Sequence, residues 1–174
     1  MLTASDNGGN LVIIDKGTSK NDNNPSDTLK TSLVIFKHTN RGAEPFGDLE
    51  CFDDNRTALI KLGSYYMVSI GQGDRYHQGL FGPLPVLDYN LSCIVYALTV
   101  QDENQEDIRL SGKNYILTCF FYSLELCNEV NRNRNKIAQR IELFFSKNSC
   151  MSDIENNWPA LKKYLNHTII ASCS

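Results

Sequence analysis

No stretch of this chain approaches the roughly 18 consecutive apolar residues that a membrane-spanning helix needs, and no Cys-x-x-Cys pair occurs. The first gap argues against a helical span, and the second removes the usual spacing of a zinc site or dithiol motif. The three histidines stand in separate segments, at 38, 77 and 167. The phosphate-loop ending Gly-Lys-Ser/Thr is missing. Gly71-Gln72-Gly73 follows an apolar run, but the next glycine is Gly79 and the continuation LFGPLP is not helical, so the dinucleotide fingerprint fails. Glu50, Asp53 and Asp54 lack the repeating acidic spacing of a calcium loop. No metal or cofactor is therefore expected. The start, MLTASDNGGN, has no basic segment leading into an apolar one, so a cytoplasmic protein is expected. Basic charge is not in excess either: 17 Lys and Arg stand against 20 Asp and Glu, and nucleic acid is not an expected partner.

What is present suits one globular domain. The chain has 174 residues, 41% of them hydrophobic, enough to bury a core without covalent staples. Residues 1–10 read as a flexible tail and 11–174 as a single α+β domain. Six cysteines stand at 51, 93, 119, 127, 150 and 173. Cys93 and Cys119 fall inside apolar strand patterns, where a reduced thiol behaves as a small hydrophobe.

The chain is organised around residues 91–148. Ser92–Val100 and Tyr115–Tyr122 are apolar on both faces, which places them inside a sheet rather than at its edge. The polar QDENQEDIRLSGK between them reads as an extended hairpin loop. Ser123 is placed to cap a long helix whose Leu126, Val130, Ile137, Ile141 and Phe144 form an inward stripe, interrupted near Asn133 or Arg134. Ser152-Asp-Ile-Glu155 reads as a capping box for a last helix around Trp158, in which Pro159 marks a start or a kink. Upstream, Leu11–Asp15, Ser32–Thr39, Phe46–Phe52, Ala58–Leu62 and Tyr65–Ile70 read as strands, with a turn at Asn40-Arg41-Gly42 and a hairpin or bulge at Gly63. Gly71–Val86, with its glycines and prolines, reads as a long connection that folds back on the body. The expected architecture is an antiparallel sheet of about five to seven strands with two C-terminal helices packed on it.

No catalytic signature is legible, so candidate residues are those of contact surfaces. Arg132, Arg134, Lys136 and Arg140 lie on the outer side of the long helix, where folding does not require them. Asp74, Arg75, Tyr76, His77 and Phe81 stand in the Gly71–Val86 connection. Asp102, Glu103, Glu106 and Asp107 make an acidic patch that suits a solvated loop or a basic partner. Two other readings stay open. Phe120, Tyr122, Tyr65 and Tyr66 would line a pocket in a small-ligand sensor, and a Cys or His would serve a hydrolase or transferase.

The segment NYILTCFFYSLELCNEVNRNRNKIAQRIELFF resembles the final strand and following helix of a longin domain, in the longin, roadblock and profilin-like group, with the helix around Trp158 as its companion. The resemblance covers the C-terminal half and rests on pattern, not on a diagnostic motif. Longin domains place a helix between their second and third strands, and residues 40–57 show no helical pattern. The resemblance implies a non-catalytic adaptor that serves membrane traffic or regulates small GTPases. Its partner would be a small GTPase or another longin-like subunit in a hetero- or homo-oligomer, with at most peripheral membrane contact.

Overall fold

The computed structural model describes residues 31–49, 56–71, 77–106 and 111–170. The Leu11–Asp15 strand expected from sequence, the 1–10 tail and the acidic turn at 53–54 lie outside them. The described chain is α+β. Strands β1 (Thr31–Thr39) and β2 (Gly42–Gly47) precede helix α1 (Arg56–Ile70). Strands β3 (Gly79–Val86), β4 (Leu91–Gln101) and β5 (Lys113–Ser123) follow, then α2 (Cys127–Arg132), α3 (Arg134–Lys147) and α4 (Met151–Ile170). The strands form one antiparallel sheet in the order β2-β1-β5-β4-β3.

The two strands that are apolar on both faces are interior, as their patterns require. β5 is central and bonds β1 through pairs such as Leu33 with Phe120, and β4 through pairs such as Val95 with Cys119. Alternation sends its residues into two cores. Ile116, Phe120 and Tyr122 join Leu33, Ile35 and Ile94 beneath α2, α3 and α4, which contribute Val130, Ile137, Ile141, Phe144, Ile154, Leu161 and Leu165. Tyr115, Leu117, Cys119 and Phe121 join Val34, Phe36, Cys93 and Val95 on the opposite face, beneath Leu59, Tyr66 and Met67 of α1.

That second face corrects the sequence reading. Ala58–Leu62 and Tyr65–Ile70 are not two strands; they belong to the single helix α1. Its buried positions, Leu59, Gly63, Tyr66, Met67 and Ile70, recur at helical spacing. Ile60, Tyr65 and Val68 on the other side are apolar too, which blurs that period. Gly63 is not a turn. A methyl group there would overlap the Phe36 ring, so the glycine lets α1 lie directly on β1.

The Gly71–Val86 connection also contains a strand, β3. It is an edge strand with a register irregularity between Phe81 and Leu84, and Pro83 and Pro85 are tolerated there because an edge strand need not donate on both sides. Likewise β2 begins at Gly42, earlier than the Phe46 expected from alternation.

The C-terminal helices are divided differently from expectation. Ser123 makes no side-chain cap; a 3-10 turn, Leu124–Leu126, intervenes before α2. Asn133 separates α2 from α3. It is buried, and both its backbone N–H and its Nδ2 donate to the Glu129 carbonyl, at 3.0 and 2.8 Å. The stripe broken near Asn133 is thus a real helix boundary. Ser152 lies inside the first turn of α4, so the capping box does not form. Instead the Cys150 thiol donates to Asp153 Oδ2 at 2.9 Å, and Glu155 takes Lys37 at 3.1 Å. Pro159 sits within α4 without ending it. Two further contacts tie α4 to the N-terminal side of the sheet. Lys162 pairs with Asp48 at 2.6 Å, and Thr31 Oγ1 donates to Asn166 Oδ1 at 2.6 Å.

Candidate functional site

The outer side of α2 and α3 is the basic surface expected from sequence, but its four cations play different parts. Lys136 and Arg140 are exposed. Arg132 is exposed and forms an i, i+3 ion pair with Glu129 at 2.8 Å. Arg134 is only half exposed, and its guanidinium donates to the carbonyls of Gly82 and, at 3.3 Å, Leu80. It therefore fastens the start of α3 to the edge strand β3 and does not present a free charge. Replacing Arg134 by alanine should cost about 2 kcal/mol, the loss of charge-assisted hydrogen bonds. Arg132→Ala should stay within about 0.5 kcal/mol, as exposed ion pairs usually do. Urea titration of the two variants checks both values.

Of the residues picked from the Gly71–Val86 connection, His77 and Phe81 are described, and they differ in burial. His77 is exposed, and its carbonyl accepts a hydrogen bond from the Tyr115 hydroxyl at 2.8 Å. Phe81 packs against the core beneath α1. Asp74, Arg75 and Tyr76 lie outside the described residues.

The aromatic pocket does not assemble. Phe120 and Tyr122 are fully buried beneath the C-terminal helices, Tyr66 is buried on the other sheet face, and Tyr65 points outward, 66% exposed. Burial pushes the Tyr122 hydroxyl up to about 12, an effect that the neighbouring Ser92 hydroxyl opposes. Tyr66 is likewise pushed well above its ordinary value, first by burial and then by Cys93 and Cys119 nearby. Cys93 itself is raised first by burial and then by the neighbouring Cys119 thiol. The Cys93 thiol is thus held protonated, the reverse of what a nucleophile needs. Cys93, Cys119, Cys127 and Cys150 are all free. No group of three or more His, Cys, Asp or Glu among the described residues has the arrangement of a metal site.

A polar cleft of about 340 Å³ lies at one end of the sheet, bordered by Lys37, Asn40, Glu44, Asp102, Glu106 and Glu155. Sequence reading did not find its centre. Asn114, 2% exposed, accepts from the His38 N–H at 3.0 Å and donates to the His38 carbonyl at 3.1 Å and to Asp102 Oδ2 at 2.9 Å. Asp102, 7% exposed, also accepts from the Asn104 N–H at 3.0 Å. At the rim Lys37 meets Glu155, and Asn40 donates to Glu106 at 3.1 Å. The acidic patch expected from sequence is thus partly internal. Glu106 holds the β4–β5 loop against the β1–β2 hairpin through Asn40, Asp102 ties the base of that loop to Asn114 of β5, and this network joins strand ends.

Exposed large hydrophobics among the described residues include Ile60, Tyr65 and Val68 of α1, Leu87, Leu143 of α3 and Tyr164 of α4. Among the described residues, no helix is long and apolar enough to cross a membrane. Comparison with protein-family models, curated proteins and solved structures returns no match.

Proposed function

We propose that this chain is a non-catalytic protein-interaction module of longin-like type, which presents helix faces to a small GTPase or to a second longin-like subunit. The supporting observation is α1. A longin domain carries a helix between its second and third strands, and α1 occupies that place between β2 and β3. It supplies the helix that residues 40–57 lacked in the sequence. The final strand leads into helices on one sheet face, in keeping with the resemblance of the C-terminal half.

Helix faces are favoured over strand addition as the mode of contact. Both edge strands carry proline, Pro45 in β2 and Pro83 and Pro85 in β3, and Arg134 occupies carbonyls of β3. The exposed cations of α2 and α3 therefore form the surface offered to an acidic partner. Titrating the full chain against a panel of small GTPases, each loaded with GDP or a GTP analogue, tests this. Saturable binding that differs between nucleotide states is expected. Reversing Arg132, Lys136 and Arg140 to glutamate should weaken it at least about tenfold, or about 1.4 kcal/mol. A panel without binding in either state would remove the GTPase reading. Unchanged affinity of the triple variant would remove this face.

A further inference from the structure

The polar cleft at the end of the sheet is bordered by three separate parts of the chain: the β1–β2 hairpin, the β4–β5 loop and the first turns of α4. Its volume of about 340 Å³ is that of a small-ligand pocket. Asp102 borders it and is 7% exposed. Its Oδ1 accepts from the Asn104 N–H and its Oδ2 from Asn114 Nδ2, the pattern of an ionised, acceptor-only carboxylate. Both donors are neutral. A charge this buried is costly without a counter-charge, and among the described residues no cation pairs with it. Lys37 pairs instead with Glu155 at 3.1 Å and Glu44 at 3.9 Å.

The other charges around the cleft do not supply the missing cation. Glu44, Asp102, Glu106 and Glu155 stand against Lys37 and Arg41, which leaves two negative charges in excess. Arg41 is exposed and makes no ion pair among the described residues. His38 borders the cleft too, but by strand alternation it shares the side of Val34 and Phe36, which α1 covers.

We infer that this cleft binds an alkylammonium group, whose charge is met by Asp102 and, at the rim, by Glu106. Guanidinium fits less well. Its fork uses both oxygens of a carboxylate side by side, and each Asp102 oxygen already accepts one hydrogen bond. An ammonium is a compact charge with three donors and needs no such pair. A metal ion fits less well too, since among the described residues no group of three or more His, Cys, Asp or Glu is arranged to hold one. Met151, 5% exposed, is the apolar residue on the border and offers a surface to the methylene stem. A free amine and a lysine side chain of a partner carry the same group. The site does not depend on the GTPase reading, whose surface lies on α2 and α3.

Calorimetric titration of the full chain tests it with two ammonium probes, pentylamine and a blocked Gly-Lys-Gly tripeptide. Their uncharged counterparts are pentanol and the same tripeptide with its lysine acetylated. At least one ammonium probe should bind at least about tenfold tighter than its counterpart. Tighter binding of the tripeptide assigns a lysine side chain as the ligand, and tighter binding of pentylamine a free amine; both uphold the site. Asp102→Asn should remove the difference between charged and uncharged probes, and Glu106→Gln should reduce it. Glu106 is exposed and glutamine can still accept from Asn40, so that variant serves if Asp102→Asn fails to fold. Glu103→Gln, at an exposed acid that does not border the cleft, should change nothing. Equal binding of charged and uncharged probes overturns the inference. So does butylguanidine binding tighter than pentylamine, or a loss in Glu103→Gln as large as in Glu106→Gln. A GTPase panel that fails leaves the amine result standing.

Discussion

Replacing Gly63 by valine is expected to lower the stability of the fold by about 3 kcal/mol, at the upper end of what overpacking usually costs. Gly63 faces the fully buried Phe36, and even a methyl group there would overlap that ring. Phe36 has no free direction in which to move, because Leu59, Leu117 and their neighbours fill the same core. α1 would have to lift from β1 and lose contacts along its inner side. Gly63→Ala should cost less, since alanine recovers up to about 1 kcal/mol of helix propensity. A compensating change identifies the cause. In Phe36→Leu, the smaller side chain should reduce the penalty of Gly63→Ala, so the two substitutions together should cost less than the sum of each alone. Chemical denaturation of the four proteins in the cycle gives these values. An unchanged midpoint for Gly63→Val would show that α1 does not lie this close to the sheet.

A second large effect is expected at Asn114, where aspartate is nearly the same size but opposite in electrostatic effect. Asn114 Nδ2 donates to Asp102 Oδ2 at 2.9 Å. A carboxylate in its place would put two like charges in contact at positions 2% and 7% exposed. Asn114→Asp should cost about 3–5 kcal/mol at neutral pH, the scale of an uncompensated buried charge. The sign of its pH dependence follows from the pair. Two carboxylates in contact share a proton, so one folded-state pKa lies above its unfolded value near 3.9. Between those values the folded state binds more protons than the unfolded state. The stability of the variant should therefore recover as pH falls toward the unfolded value and decline as pH rises. Asn114→Ala loses the same hydrogen bonds without adding charge, and should cost about 2 kcal/mol. Thermal melts of both variants across the acidic range separate the cases. If Asn114→Asp showed no recovery relative to Asn114→Ala, the contact with Asp102 would not be the cause.

How far the fold was legible depended on how far apart in sequence the interacting residues lie. Ser92–Val100 and Tyr115–Tyr122 announced themselves because both sides of each strand are apolar, and Asn40-Arg41-Gly42 marked the β1–β2 turn. The stripe of α3 was legible because Ile137, Ile141 and Phe144 contrast with Lys136 and Arg140. α1 offered no such contrast: Ile60, Tyr65 and Val68 outside match Leu59, Tyr66 and Met67 inside, and Gly63 looked like a break. β3 was hidden by Gly79, Gly82, Pro83 and Pro85, residues that an edge strand admits and an interior strand does not. At the surface, the basic stretch could be seen but not sorted. The acceptors of Arg134 are backbone carbonyls in a strand the pattern concealed, and a carbonyl carries no sequence signature. Asn114 and Asp102 meet across the β4–β5 loop, a pairing that neither residue type announces.

The strand order has a consequence for how the chain assembles. β5 is central in space but last of the strands in sequence, and among the described strands it alone bonds both β1 and β4. Until residues 113–123 are available, β1 with β2 and β3 with β4 are separate hairpins, each with one long open side. The register of Leu33 against Phe120 closes a separation of half the chain, a slow kind of pairing because loop entropy is lost before the contact is gained. During synthesis both apolar cores therefore wait on one eleven-residue strand. Its arrival joins the two halves in a single step.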